Sequence, residues 1–171
     1  GGSFVKIGYL NRGDFFTAGS IPTGSKSCPR DVLERTAELI SELDSSPAAV
    51  GVGAAGIIDM NSGVIEFSPN LPLWNHTPVS SILESHIQAP VVLDNDCNVF
   101  ATGALNSGEI PSTGLWLFLT LGTGIGGTII NNGSIIYGTG AAGEFGHTTV
   151  REGGLPCPCG SQGCWEMYAG R

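Results

Sequence analysis

Residues 143–166 read GEFGHTTVREGGLPCPCGSQGCWE. His147, Cys157, Cys159 and Cys164 fall close together here, and three of the chain's five cysteines are among them. One imidazole and three thiols form the donor set of a closed structural zinc site, because Zn²⁺ takes four N/S ligands in a tetrahedron. The glycines and Pro158 let a short loop wrap a small sphere. The C-x-C-x4-C spacing departs from the paired C-x2-C knuckle. Two other readings therefore stand beside zinc: a disulfide with a spare thiol, and buried structural cysteines. An odd trio of thiols next to a histidine favours the metal.

Just upstream, residues 115–121 (LWLFLTL) form a clear strand that runs into Gly122-Thr123-Gly124-Ile125-Gly126-Gly127. That run satisfies G-x-G-x-x-G, but a dinucleotide fingerprint needs a helix next, to aim its positive end at a pyrophosphate. Residues 128–137 (TIINNGSIIY) instead read as a hairpin with an Asn-Gly turn. Strand, glycine turn, strand suits a hairpin whose amides and Thr123 hydroxyl approach a phosphate closely.

Further back, Pro90–Leu93 is a short apolar strand ending in Asp94-Asn95-Asp96-Cys97-Asn98, before a helical run through Leu105. Polar clusters at the C-terminal ends of buried strands are where open α/β sheets place their chemistry. One helix cap needs one such residue and four are on offer, so a functional reading is preferred over capping by either acid. Residues 29–43 make a helix with Val32, Leu33, Thr36, Ala37, Leu39, Ile40 and Leu43 on one face, and residues 78–88 a second. Residues 50–57 read as a buried strand ending in a glycine-rich bend, and 64–67 as another strand. Residues 68–75, with an exposed-looking Asn and Trp, read as a surface loop with a Trp anchor in preference to a sugar-facing loop whose Asn would bond hydroxyls. At the start, Gly1-Gly2-Ser3 is a turn into a strand, and Asn11–Asp14 a hairpin turn into residues 15–21. Gly19 and Thr23–Lys26 lack the Gly-Lys-Ser order and strand-to-helix context of a P-loop.

With 171 residues the chain can bury a core. A net charge of −8 without a basic stripe speaks against a nucleic-acid surface. There is no apolar run long enough for a membrane span and no visible signal peptide. Cys28 and Cys97 are left unpaired if the other three hold metal, so a reducing, cytoplasmic location is expected.

Together these pieces resemble the ROK (repressor, open reading frame, kinase) family of sugar kinases and related repressors, over nearly the whole chain. Gly1-Gly2-Ser3 with Lys6 resembles the end of the family's first phosphate motif, and Leu121–Gly127 its second. Asn95-Asp96-Cys97-Asn98 resembles Asn-Asp-Ala-Asn, whose aspartate is the catalytic base. Glu144-Phe145-Gly146-His147 resembles Glu-x-Gly-His, and residues 157–166 resemble Cys-x-Cys-Gly-x-x-Gly-Cys-x-Glu.

The resemblance implies an α/β, actin-like ATPase (ribonuclease-H-like) two-lobe fold. A first lobe would cover residues 1–108, and 109–171 the opening part of a second. It implies ATP-dependent transfer of a γ-phosphate to a hexose or N-acetylhexosamine, with Asp96 as base. Asn95, Glu144, His147 and Glu166 would meet the sugar, with Gly56 and Asn70 as further contacts. Gly2, Ser3, Lys6, Thr123 and Gly124 would hold MgATP. His147, Cys157, Cys159 and Cys164 would hold a structural zinc. Sugar and ATP are the expected partners, with neither nucleic acid nor membrane, and a homodimer the expected assembly. The alternative is a sugar-responsive repressor of the same family, its DNA-binding domain upstream.

Three departures stand out. The acid expected two residues before Gly1 is absent, and Cys97 and Thr128 replace Ala and Gly. The family also continues beyond the position of Arg171, so this span is expected to be a fragment, inactive by itself.

Overall fold

The computed structural model describes residues 3–24, 27–43, 46–69 and 71–170. Gly2 and Asn70, both expected in binding sites, lie outside the described residues.

Strands β1 (Phe4–Asn11) and β2 (Asp14–Pro22) pair antiparallel across Arg12-Gly13. Both turn residues have positive φ, 53° and 93°. This is the turn whose twist matches that of the flanking strands. Helix α1 (Pro29–Leu43) buries Val32, Leu33, Thr36 and Ala37, as the periodicity requires. Leu43 is exposed, so the apolar face stops short of the last turn expected to share it.

Strand β3 (Val50–Ala54) pairs with β6 (Val91–Asn95). The single buried strand expected over 50–57 is in fact divided. Gly56, at φ 120°, turns the chain into β4 (Ile57–Asp59), which pairs antiparallel with β5 (Val64–Phe67). A side chain on Gly56 would strike the Phe67 carbonyl and Ser68, so glycine is required there twice over. β3 is only half-buried, its Val50, Val52 and Ala54 facing the core.

Trp74 corrects the surface reading of residues 68–75. It ends a short 3-10 helix, Pro72–Trp74, and is 5% exposed. An indole is the largest apolar body available to this core, and its burial outweighs the loop's polar composition. Asn75 Oδ1 accepts the Ser68 N–H at 2.8 Å and closes the loop over it.

Helix α2 (Val79–Ile87) ends at Gln88 in the left-handed conformation, with the Gln88 N–H returned to the Glu84 carbonyl. α1 and α2 pack together, and the core joins Val32, Leu33, Ile65, Trp74, Leu83 and Leu93.

The chain divides into two compact units, 1–94 and 95–171. Helix α3 (Asp96–Asn106) falls in the C-terminal unit. The reason is local: α3 packs on β7 (Leu115–Leu121) and β8 (Ile125–Asn131). These two strands and β9 (Ser134–Ile136) form an antiparallel meander, with Asn132-Gly133 at positive φ in the second turn. No helix succeeds the glycine run, in keeping with the rejection of a dinucleotide fold. A loop over 148–165, cross-bridged at Thr149–Cys164 and Pro156–Gln162, leads to a one-turn helix α4 (Glu166–Ala169). Among the described residues, no helix is long and apolar enough to cross a membrane.

Candidate active site and metal centre

The expected metal ligands come together. One donor atom from each of His147, Cys157, Cys159 and Cys164 lies within 4.8 Å of all the others. Cys159 Sγ and Cys164 Sγ are 3.7 Å apart, and Cys157 Sγ and His147 Nδ1 3.5 Å. A tetrahedron with Zn–S of about 2.3 Å has an S···S edge of about 3.8 Å, and with Zn–N of about 2.0 Å an N···S edge of about 3.5 Å. Both separations fit those edges. None of the five cysteines is joined in a disulfide.

Burial pushes the Cys157 thiol up to about 11, its neighbours Cys159 and Cys164 adding to the rise. Burial acts the same way on Cys159, but the Ser161 backbone and the two neighbouring sulfurs outweigh it and hold that thiol low. The loop is formed by backbone bonds that glycine permits. A side chain on Gly163, at φ 74°, would strike the Arg151 carbonyl.

The short 3-10 helix Phe145–His147 turns the His147 ring so that Nδ1 faces the sulfurs and Nε2 lies 3.7 Å from Glu144 Oε2. Burial raises the Glu144 carboxyl above the usual carboxylate range. His147 opposes that shift, while the charges of Asp96 and Glu166 add to it. Asp96, Glu144, His147 and Glu166 therefore share one electrostatic neighbourhood within the C-terminal unit.

Asn95, not either acid, caps α3: its Oδ1 accepts the Cys97 N–H at 2.9 Å. Asp96 comes next, in the first turn, with its side chain exposed. The two departures from the family pattern have partners. Cys97 Sγ lies 3.2 Å from Thr120 Oγ1, and the Thr128 hydroxyl donates to Asn98 Oδ1 at 2.9 Å. Both tie α3, which carries Asp96, to the meander, as does the contact of Phe100 with Phe118. Sequence reasoning did not single out Asn98 or Thr120 as partners. The unexplained Thr128 and Cys97 were the signal.

The glycines of 122–127 have separate tasks. Gly122-Thr123-Gly124 makes the turn, closed by the Gly122 N–H on the Gly124 carbonyl at 2.9 Å, with Thr123 exposed. Gly126 and Gly127 lie within β8 and face opposite ways. A side chain on Gly126 would meet Cys97 of α3, and one on Gly127 would meet the Phe145 ring. They admit close packing on both faces of the strand. In the N-terminal unit, Ser3 is exposed and its carbonyl accepts the Thr23 N–H at 3.0 Å; Lys6 is exposed on β1.

Residues 12–171 match the ROK family. A glucokinase of Halalkalibacterium halodurans is 36% identical over 179 residues, spanning 99% of this chain and 54% of that protein. A xylose repressor of Caldicellulosiruptor bescii is 34% identical over 140 residues, 81% of this chain and 35% of the repressor. The structure matches that of a ROK family glucokinase from Streptomyces griseus in complex with glucose and AMPPNP. The TM-score is 0.85 at 35% identity, covering 99% of this chain and 55% of that one. This chain spans about half the length of the glucokinases it matches, and its fold is the actin-like ATPase fold of ROK glucokinases. The chain belongs to the ROK family.

Proposed function

We propose that this chain carries the catalytic base and sugar-binding groups of an ATP-dependent sugar kinase acting on a hexose or N-acetylhexosamine. The observation that carries the reading is that one unit holds Glu144 beside His147, Glu166 bonded to the strand after the Gly122–Gly124 turn, and Asp96 on a helix tied to the same meander. Phosphoryl transfer needs positioning and charge neutralisation more than covalent catalysis. A sugar hydroxyl oxygen attacks the γ-phosphorus, the bond to the β-phosphate oxygen breaks, and ADP leaves. The hydroxyl proton passes to the Asp96 carboxylate. Asn95, Glu144, His147 and Glu166 orient the sugar; Gly56 and Asn70 are assigned to it by resemblance alone. Thr123 and Gly124 hold phosphates of MgATP, whose Mg²⁺ offsets their charge; Gly2, Ser3 and Lys6 are assigned to ATP by resemblance alone. His147, Cys157, Cys159 and Cys164 would hold a structural zinc ion, which would supply rigidity to the loop.

The test is ADP release by the complete gene product against a panel of hexoses, with Asp96→Asn beside the wild type. Turnover with the accepted sugar is expected to fall about 10²- to 10⁴-fold while sugar affinity changes little. Turnover within tenfold of the wild type would move the base elsewhere. A second reading, a sugar-responsive repressor, is favoured by the likeness to the xylose repressor. The retained phosphate turns count against it, and operator binding without sugar-dependent ADP release would establish it.

A further inference from the structure

Helix α4 and its flanks hold three separate pieces of the C-terminal unit. Glu166 Oε2 accepts the backbone N–H of Ile125 at 2.9 Å, a bond between residues 41 apart in sequence. Tyr168 Oη accepts the N–H of Leu155, inside the cysteine loop, at 2.9 Å. The Trp165 N–H donates to the Thr148 carbonyl, next to His147, at 2.9 Å. The glycine turn is fitted to this helix. A side chain on Gly124 would collide with the Glu166 carboxylate, and one on Gly170 would lie 2.9 Å from the Thr123 carbonyl. Residues 123, 124 and 125 each lean on α4 or its C-terminal cap.

A glycine turn has few conformational restraints of its own, and its amides recognise a phosphate only if they are held in place. A carboxylate accepting a backbone N–H makes a strong, directional restraint. We infer that Glu166 is a positioning residue for the Gly122–Gly124 turn, coupling the turn's amides to the cysteine loop and so to nucleotide affinity. The inference rests on the reading of that turn as a phosphate site. It goes beyond the sugar contact implied for Glu166, which its other carboxylate oxygen, Oε1, is left to make.

Three variants separate the possibilities. Glu166→Ala removes the acceptor. Glu166→Gln keeps an oxygen of the same reach and loses the charge. Gly124→Ala displaces the carboxylate from the turn's side without altering α4. The first readout, on this chain with zinc, is hydrogen exchange at the Ile125 amide, with the Trp165 amide and zinc content as controls of the loop. Protection is expected to fall about tenfold or more in Glu166→Ala and Gly124→Ala and to be largely kept in Glu166→Gln. The second, on the complete gene product, is AMPPNP affinity by calorimetry. The dissociation constant is expected to rise about tenfold in the two alanine variants and to recover in Glu166→Gln. Sugar affinity should fall in both Glu166 variants. Unchanged Ile125 protection in the alanine variants overturns the anchoring itself, whatever the protein binds. Lost protection with AMPPNP affinity unmoved overturns the positioning role. A wild type that binds no AMPPNP overturns the phosphate reading, and the inference with it.

Discussion

The two units are held together by different physics. In residues 1–94, α1, α2, β5 and β6 converge on a continuous apolar core in which Val32, Ile65, Val79, Leu83 and Leu93 are all but inaccessible. Among the described residues of 95–171 the buried apolar side chains are Cys97, Ala101, Ala104, Ile125, Ile130, Cys157 and Cys164: two large aliphatics, two alanines and three thiols. Much of β7 faces outward, with Leu115, Leu117 and Leu121 at 63–71% exposure. The first unit illustrates order driven by burial. In the second, a cluster of one imidazole and three thiols, glycine close approach and buried hydrogen bonds stand out instead.

The largest effect we expect separates the two units completely. Removing the metal with a strong chelator, or Cys164→Ser at a fully buried ligand, should abolish hydrogen-exchange protection across residues 148–165 and leave that of 32–93 intact. Structural zinc contributes apparent free energies of about 10 kcal/mol in small metal-dependent folds, enough to decide whether such a loop is ordered at all. Elemental analysis should find one zinc per chain beforehand. Joint melting of both regions would break the contrast, as would protection that survives chelation.

The reciprocal experiment is smaller. Leu83→Ala opens a cavity in the N-terminal core, and a substitution of that kind costs about 2–5 kcal/mol. Denaturant unfolding should register the loss while zinc stoichiometry stays at one. Loss of zinc from this variant would show that the two units fail together.

Much of the first unit is legible in the sequence because its determinants are local. Val32, Leu33, Thr36 and Ala37 recur at helical spacing, and Gly13 marks its turn without help from the rest of the chain. The metal donors are legible for the same reason, crowded into one loop. What sequence cannot reveal are the pairs. Trp74 looks exposed in a loop of prolines until the core that receives it is assembled. Gly126 and Gly127 look like phosphate glycines until Cys97 and Phe145 arrive on either side. Glu166 carries a sugar role by resemblance, yet its bond to Ile125 joins segments with no common pattern. In a unit held by individual bonds, each partner has to be seen.

Next in size is the pair left unexplained by family pattern. Thr128 is fully buried and donates to Asn98. Thr128→Val keeps the shape and loses the donor, and a single buried hydrogen bond contributes about 1 kcal/mol. We expect that loss in thermal unfolding, accompanied by faster exchange in α3 rather than in α1. An unchanged α3 would mean that Phe100 and Cys97 suffice to seat the helix.

The smallest effect lies on the surface of the N-terminal unit and shows how little polar groups add there. Asp59 accepts from the Ser62 hydroxyl at 2.6 Å and from the Asn61 N–H at 3.0 Å, closing the turn between β4 and β5. These two bonds, the Ser62 one foremost, hold its carboxyl below the usual range against a slight opposing effect of burial. A folded-state pKa below the unfolded value means that the carboxylate stabilises the fold. That contribution is complete above the unfolded pKa of about 3.9 and is lost as pH falls through the lower folded value. Asp59→Asn should therefore be slightly less stable than the wild type at pH 6–7, and the difference should close in strong acid. Acid also protonates metal-binding thiols, so global unfolding would report the C-terminal unit instead. Hydrogen exchange at the Asn61 amide isolates the turn. A wild-type advantage there that persists below the folded pKa would mean that the carboxylate's charge is not what closes it, and that the hydrogen-bonding shape of the side chain is.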